Sequence, residues 1–330
     1  MNHNEVPLSY IAALKSATEK HVDNQSTAAH TAYIGYRERG GQLTDEICVV
    51  VTVPQKQPFS ALSEGEMIPA AIQVGGTTVP VDVREAPPPQ VELLMLMPGM
   101  ETQAGLIQTQ CHSPTVPGGS QIQPQGANWV GTLGCMVEYK VNGETRYGAL
   151  TNAHVTGLTQ RAGYPIMQPT SANSRPFAVV HDVAKIDVSQ SASNLVDMAV
   201  LDCKTADGHT CTPNQLGIGK LGKQLVNASL GMRVVKSGRT TGVTRGKCVG
   251  IRGVSLVGYG GRTPARFVDL DVYRGDSGDL SAAGDSGSAI LRESDNSFAS
   301  LLFAGGGGQT LACPSRNVFK LYGLKLYQGA

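Results

Sequence analysis

The 330-residue chain carries 27 basic and 26 acidic residues, a net charge of +1, which gives no reason to expect nucleic acid or a membrane surface as a partner. Its length allows two domains of ordinary size, each with its own core. With 40 glycines, 18 prolines, 5% aromatic residues and many short Val/Ile/Thr runs, it reads as a β-rich protein with many tight turns.

The amino terminus, Met1-Asn2-His3-Asn4-Glu5-Val6-Pro7, lacks the basic start and apolar core of a signal peptide, and no later apolar run is long enough to span a bilayer, so a cytoplasmic location is expected. The seven cysteines are odd in number and scattered, which fits reduced thiols better than a disulfide framework. Cys203, His209 and Cys211 invite a metal, but no second ligand pair completes a site, and neither metal nor cofactor is expected.

Leu8, Ile11, Leu14 and Ala17 fall at helical spacing and predict a short amphipathic helix over residues 8–20. Two strand-like runs follow, Ala32 to Arg37 and Glu46 to Val53, separated by a turn holding Gly40 and Gly41, and Pro54 stops the second. Residues 60–72 look helical around Pro69-Ala70-Ala71, and Thr78 to Val83 reads as another strand. These elements make residues 1–90 a small α/β domain. Pro87-Pro88-Pro89 is a natural boundary, residues 91–115 read as a connector, and 116–330 as a second domain of short strands and glycine turns. Its strand candidates are residues 131–137, 147–151, 198–201, 233–236, 247–254, 265–272, 288–291 and 300–303, enough for antiparallel barrels or sandwiches. Gly242 to Cys248 superficially suggests a phosphate loop, but its spacing is wrong and a hairpin is expected instead.

The chemistry centres on Gly284-Asp285-Ser286-Gly287-Ser288, which runs straight into the apolar Ala289-Ile290-Leu291. A serine hydroxyl becomes a useful nucleophile only with a base, an acid that orients the base, and donors for the oxyanion. Ser286 is the candidate nucleophile, and glycines on both sides allow the amides of Gly284 and Ser286 to converge as an oxyanion hole. Gly275-Asp276-Ser277-Gly278 repeats the four letters without a clean apolar strand behind it, and a polar turn prefers the same residue types. His154, at the end of the strand-like Ala149-Leu150-Thr151, is the candidate base, in competition with His3, His21, His30, His112, His181 and His209. Asp197, set among apolar residues, is the candidate orienting acid, because a buried carboxylate needs donors such as a histidine N–H. Asp187 and Asp202 are its alternatives.

Thr151-Asn152-Ala153-His154, Asp197-Met198-Ala199-Val200 and Gly284-Asp285-Ser286-Gly287-Ser288 occur in the chain order of the chymotrypsin-like, or trypsin-like, serine proteases and resemble their His, Asp and Ser signatures. With Gly238-Arg239-Thr240-Thr241-Gly242-Val243-Thr244 and the amino-terminal runs at 34–36, 49–53, 68–69 and 81–83, the chain resembles the intracellular trypsin-like proteins of bacteria and plants, which carry a small domain before the protease. The resemblance implies two six-stranded β-barrels with His154, Asp197 and Ser286 in the cleft between them. It places Leu280 at the base of the primary specificity pocket, without the carboxylate that selects Lys or Arg, and so implies an apolar preference at P1, the residue on the acyl side of the scissile bond. It also places Ala304, Gly305 and Gly306 on the pocket wall. The sequence departs from the secreted digestive enzymes in lacking their paired cysteines and their Ile-Val-Gly-Gly activation site. Asp285 therefore needs another organiser: a constitutively formed site, the amino-terminal domain or a partner.

The reading that follows is an intracellular serine endopeptidase of narrow range, acting on a protein or peptide substrate, with a regulatory partner conceivable at the amino-terminal domain. The rival is a catalytically silent or partner-activated peptide-binding module. An esterase fits less well, because the Gly-x-Ser-x-Gly elbow between strand and helix is absent.

Overall fold

The structure is a computed structural model that describes residues 1, 3–24, 27–96, 110–111, 113–159, 161–170, 176–189, 191–203, 210–261 and 263–329. It is mainly β, and two antiparallel barrels carry it.

The first barrel closes through one continuous run. Trp129–Thr132 pairs with Gln121–Pro124, and after a corner the same run continues as Met136–Val141 and pairs with Glu144–Thr151. Ala199–Asp202, Pro176–Val183 and Pro165–Met167 complete the ring back to Gln121–Pro124. The sequence suggests one strand over 131–137, but the structure breaks it at Leu133-Gly134-Cys135. There the Gly134 amide donates to the Leu150 carbonyl, and a Cβ on Gly134 would sit 2.6 Å from the Gly287 carbonyl oxygen. Only a glycine lets the corner approach the second barrel so closely. Ile122, Leu133, Met136, Ile166 and Phe177 fill the interior.

The second barrel runs Arg233–Gly238, Ala289–Arg292, Phe298–Gly306, Gln309–Pro314, Ala265–Gly275 and Gly242–Val257, and closes by pairing Gly242–Val257 with Arg233–Gly238. Two closed six-stranded antiparallel barrels in sequence are the chymotrypsin-like double-barrel fold. Closure pairs the six strands of each barrel round a ring.

The 16-residue strand Gly242–Val257 does double duty. Its first part closes the barrel, and its second part, from Gly250 to Ser255, pairs with Thr31–Arg39. That strand leads on to Gln42–Val53, Thr77–Glu85 and Ala71–Val74, so the amino-terminal strands extend the second barrel's sheet. Gly250 permits the junction, because a Cβ there would lie 2.3 Å from the Tyr33 ring. The helix Leu8–Ala17 covers these strands, and Ala13, Leu14, Ile34, Val49 and Val81 share one core with Val234, Ile251, Tyr273, Ile290 and Leu302. Residues 60–72 differ from the helical expectation: two single 3₁₀ turns, Phe59–Ala61 and Glu64–Glu66, precede a strand, Ala71–Val74. Pro58 precedes the first turn and Pro69 lies between the second turn and the strand, and a helix interior does not tolerate proline.

Candidate active site

His154 leaves the end of Glu144–Thr151 on a four-residue helix, Ala153–Thr156, and is buried. Its Nδ1 stands 2.7 Å from Asp197 Oδ2, and its backbone N–H donates to Asp197 Oδ1 at 3.2 Å. The Tyr259 hydroxyl donates to Asp197 Oδ2 at 2.6 Å, and Asn152 Nδ2 donates to the Asp197 carbonyl at 2.6 Å. Asp197 is completely buried. Burial alone would raise its carboxyl, but the His154 charge and the hydrogen bonds from His154 and Tyr259 hold it below its ordinary value. An ionised carboxylate only accepts, so the His154 nitrogen that faces it, Nδ1, is the donor. Among the described residues, Nε2 has no hydrogen-bond partner.

Ser286 sits in the turn between Gly284 and Gly287, whose φ angles are +100° and +97°. A side chain at 287 would drive its Cβ to 2.1 Å from the Thr132 carbonyl oxygen, so glycine is required there. Thr132 pins the turn, with its amide donating to the Ser286 carbonyl and its hydroxyl to the Gly284 carbonyl, both at 2.8 Å. Ser286 Oγ is buried and donates to the Phe303 carbonyl at 3.1 Å. The hydroxyl proton is thus committed to Phe303, and no hydrogen bond joins Ser286 Oγ to His154 Nε2.

Asp285 takes hydrogen bonds from the Thr240, Thr241 and Ala282 amides and the Thr241 hydroxyl, and Lys236 Nζ lies 3.2 Å from its Oδ2. Lys236 and Asp285 are both fully buried. Burial pushes the lysine below its ordinary value, and the Asp285 carboxylate opposes that. A side-chain ammonium therefore anchors the turn that the sequence left without an organiser. The signal was present in Arg233-Val234-Val235-Lys236, since a lysine in a buried strand must find a carboxylate.

The alternatives fall elsewhere. Ser277 and its neighbours form an exposed turn, with Asp276 paired to Arg233. Asp187 is exposed and accepts from the Ser189 amide, and Asp202 pairs with Arg146. His3 meets Asp269, His30 meets the Ala86 carbonyl, and His181 packs on Tyr139, whereas His112 and His209 lie outside the described residues. Among the described residues no cluster of His, Cys, Asp and Glu is arranged for a metal, and no helix is long and apolar enough to cross a membrane.

The pocket departs from the sequence reading at two positions, because Ala304, like Leu280, is buried in the core and does not line the cleft. Leu280 is buried in the core shared with the amino-terminal strands, and it is the next residue, Ser281, that lines the cleft with Ala282, Gly305, Gly306 and Thr310. Ala304 pairs antiparallel with Val91, the first residue of the stretch read as connector, and Gly305 with Gln90 just before it. Gly306 lies beside Pro87, Pro88 and Pro89. The Gly284 amide, one of the two expected oxyanion donors, donates to the Glu92 carbonyl at 2.7 Å. Residues 97–109 of the connector lie outside the described residues.

The fold and site together define a chymotrypsin-like double barrel whose inter-barrel cleft holds a buried Asp–His pair, a serine turn and a backbone donor engaged by a carbonyl. No family model and no curated protein matches the sequence. Solved structures with a similar fold are serine proteases: protease A of Thermobifida fusca, at 21% identity and a TM-score of 0.47, and the chymotrypsin of Cellulomonas bogoriensis, at 21% and 0.46. In each case 65% of this chain aligns with 100% of the other. A Nocardiopsis protease aligns at 18% identity and a TM-score of 0.46, over 64% of this chain and 98% of its own.

Proposed function

We propose that the protein is a serine endopeptidase working through Ser286, His154 and Asp197. The observation that carries the reading is the hydrogen bond from the Gly284 amide to a peptide carbonyl beside Ser286, with an imidazole oriented by Asp197 in the same cleft. Ser286 Oγ turns from the Phe303 carbonyl toward His154 Nε2 and adds to the substrate carbonyl carbon while His154 takes the proton. The Gly284 and Ser286 amides hold the oxyanion. Collapse breaks the C–N bond, His154 protonates the leaving amine, and water then hydrolyses the Ser286 ester by the same route. Asp197, backed by Tyr259, keeps the imidazole oriented and balances its positive charge. The Lys236–Asp285 pair supports a turn formed without a newly cut amino terminus. We also propose a cytoplasmic enzyme acting on a narrow set of proteins, with the amino-terminal strands as the place for a regulatory partner.

A second reading, a latent or partner-activated peptide-binding module, is favoured by one feature: the Ser286 hydroxyl is bonded to Phe303 and not to His154. Reaction with a fluorophosphonate over hours, read by mass spectrometry, separates the two. An adduct that disappears in Ser286→Ala and persists in Ser277→Ala supports the protease. No adduct on the wild type or on Glu92→Arg, both folded, rejects it.

A further inference from the structure

Residues 89–96 cross the candidate active site from one barrel to the other. Gln90 and Val91 add as an antiparallel strand to Gly305 and Ala304, and the Val91 amide donates to the Gly258 carbonyl on the other side at 3.1 Å. The Glu92 amide donates to the Phe303 carbonyl at 3.3 Å, while the Glu92 carbonyl accepts from the Gly284 amide at 2.7 Å. Beyond that peptide, Leu94 and Met95 pair antiparallel with Val130 and Trp129 of the first barrel, and the Leu96 amide donates to the Asn128 carbonyl at 2.7 Å. Main-chain pairing on both sides of one peptide bond, with its carbonyl on the oxyanion donor, is how a protease holds a bond it is to cut.

The Glu92 side chain fills the cleft beside this bond. Its Oε1 accepts from Ser281 Oγ at 2.6 Å, and Ser281 Oγ lies 2.7 Å from Thr310 Oγ1. A Cβ on Gly305 would lie 2.1 Å from Oε1, so the glycine at that wall makes room for the carboxyl. Because the Ser281 proton goes to Glu92, Thr310 donates to Ser281, and the two hydroxyls form a relay aimed at the carboxyl. Burial pushes the Glu92 carboxyl up to about 8. The Ser281 bond and Lys236 pull it down, and Asp285 and Asp279 push it further up, so at neutral pH the seated group is the uncharged acid.

Resting on the protease reading, we infer that the primary pocket selects a glutamyl side chain through Ser281 and Thr310, and that the chain's own Glu92 occupies it, closing the groove to other substrates. This replaces the apolar P1 preference drawn from Leu280, whose side chain packs in the core. The tether is short, since the strand ending at Glu85 lies five residues before Gln90. At the millimolar effective concentration typical of short tethers, about a thousandfold above a micromolar competitor, the segment outcompetes free peptide. Where the enclosed bond is cut, Ser286 Oγ joins the Glu92 carbonyl carbon, the bond to Leu93 nitrogen breaks, His154 delivers the proton to that nitrogen, and water releases Glu92 as a carboxylate.

The test uses the full chain and two variants, Glu92→Arg and the near-isosteric Glu92→Gln. Glu92→Arg should react with a fluorophosphonate at Ser286 about ten-fold or more faster than the wild type, with Glu92→Gln closer to the wild type. Reporter peptides of sequence Gln-Val-Glu, Gln-Val-Leu and Gln-Val-Lys, offered to Glu92→Arg, should be cleaved best after Glu, by about a hundredfold over Leu. A wild-type cut mapping to Glu92–Leu93 also supports the assignment. Equal labelling rates for wild type and Glu92→Arg, or Leu cleaved as well as Glu, overturn it while leaving the protease reading intact. No labelling of any folded variant removes that reading and this one with it.

Discussion

The chain spells Gly-Asp-Ser-Gly twice, at 275–278 and at 284–287, and the two copies have almost nothing physical in common. In the first, Asp276 is exposed and pairs with the exposed Arg233, and Gly278, at φ +84°, has open space where a Cβ would point. In the second, Asp285 and Ser286 are fully buried, Lys236 and three backbone amides hold the carboxylate, and both glycines are crowded by neighbouring atoms. Four letters specify a turn. What turns one copy into a candidate nucleophile is the pair of barrels that close over it.

The sharpest way to break the comparison is to remove each hydroxyl. Ser286→Ala should lower kcat/KM of the opened Glu92→Arg enzyme by about 10⁶-fold, and Ser277→Ala should leave it unchanged. Comparable losses in both would make the first copy a participant. Next come the two aspartates. Lys236→Met strands a buried carboxylate and should cost about 3–5 kcal/mol in denaturant unfolding, whereas Asp276→Asn, at a solvent-exposed pair, should cost less than about 1 kcal/mol. Equal costs would contradict the difference in burial.

The glycines should separate by less. Gly287→Ala forces a Cβ to 2.1 Å from the Thr132 carbonyl oxygen, adding displacement of the serine turn to the conformational penalty, and should abolish Ser286 labelling. Gly278→Ala meets no neighbour, and only the positive φ, worth about 1 kcal/mol, should appear in its stability.

The smallest effect concerns the segment that lies against the second copy. Released Glu92 titrates near the ordinary 4.5, and seated Glu92 near about 8. A raised value in the seated state means that seating is fully favoured below 4.5 and is lost as pH rises through 8. Asp285, Asp279 and Lys236 act on this carboxyl, and all three stay in place in Glu92→Gln. The ratio of wild-type to Glu92→Gln labelling rates should therefore rise from pH 6 to pH 9, by about three-fold or more. A flat ratio would show that the carboxyl does not titrate in the pocket.

Much of the strand content was legible, because β-branched runs ended by glycine and proline carry their own signal. Thr31–Arg39, Gln42–Val53 and Thr77–Glu85 lie where the sequence suggests strands, and the helix Leu8–Ala17 lies where the spacing suggests a helix. The corner at Leu133-Gly134-Cys135 was not legible, since its cause is the Gly287 carbonyl, 153 residues away. Nor was the strand Ala71–Val74, which exists because Thr77–Glu85 is beside it. At the site, His154, Asp197 and Ser286 stood out as chemistry-bearing residues next to strands. Tyr259 and the Phe303 carbonyl carried no comparable local signature, because each matters only for what it touches.

Sequence alone determined the composition of the site: which side chains could hold a proton, attack a carbonyl, or let the backbone turn at positive φ. Those are properties of single residues and short spacings. Only the tertiary structure decided which Gly-Asp-Ser-Gly is buried, that Lys236 rather than an amino terminus meets Asp285, and that Glu92 enters the pocket beside Ser281. These depend on contacts across 49 residues from Lys236 to Asp285 and 189 from Glu92 to Ser281. Contacts of that span form only when the two barrels close, and the closing barrels supply the desolvation that gives a buried charge or carboxyl its chemistry.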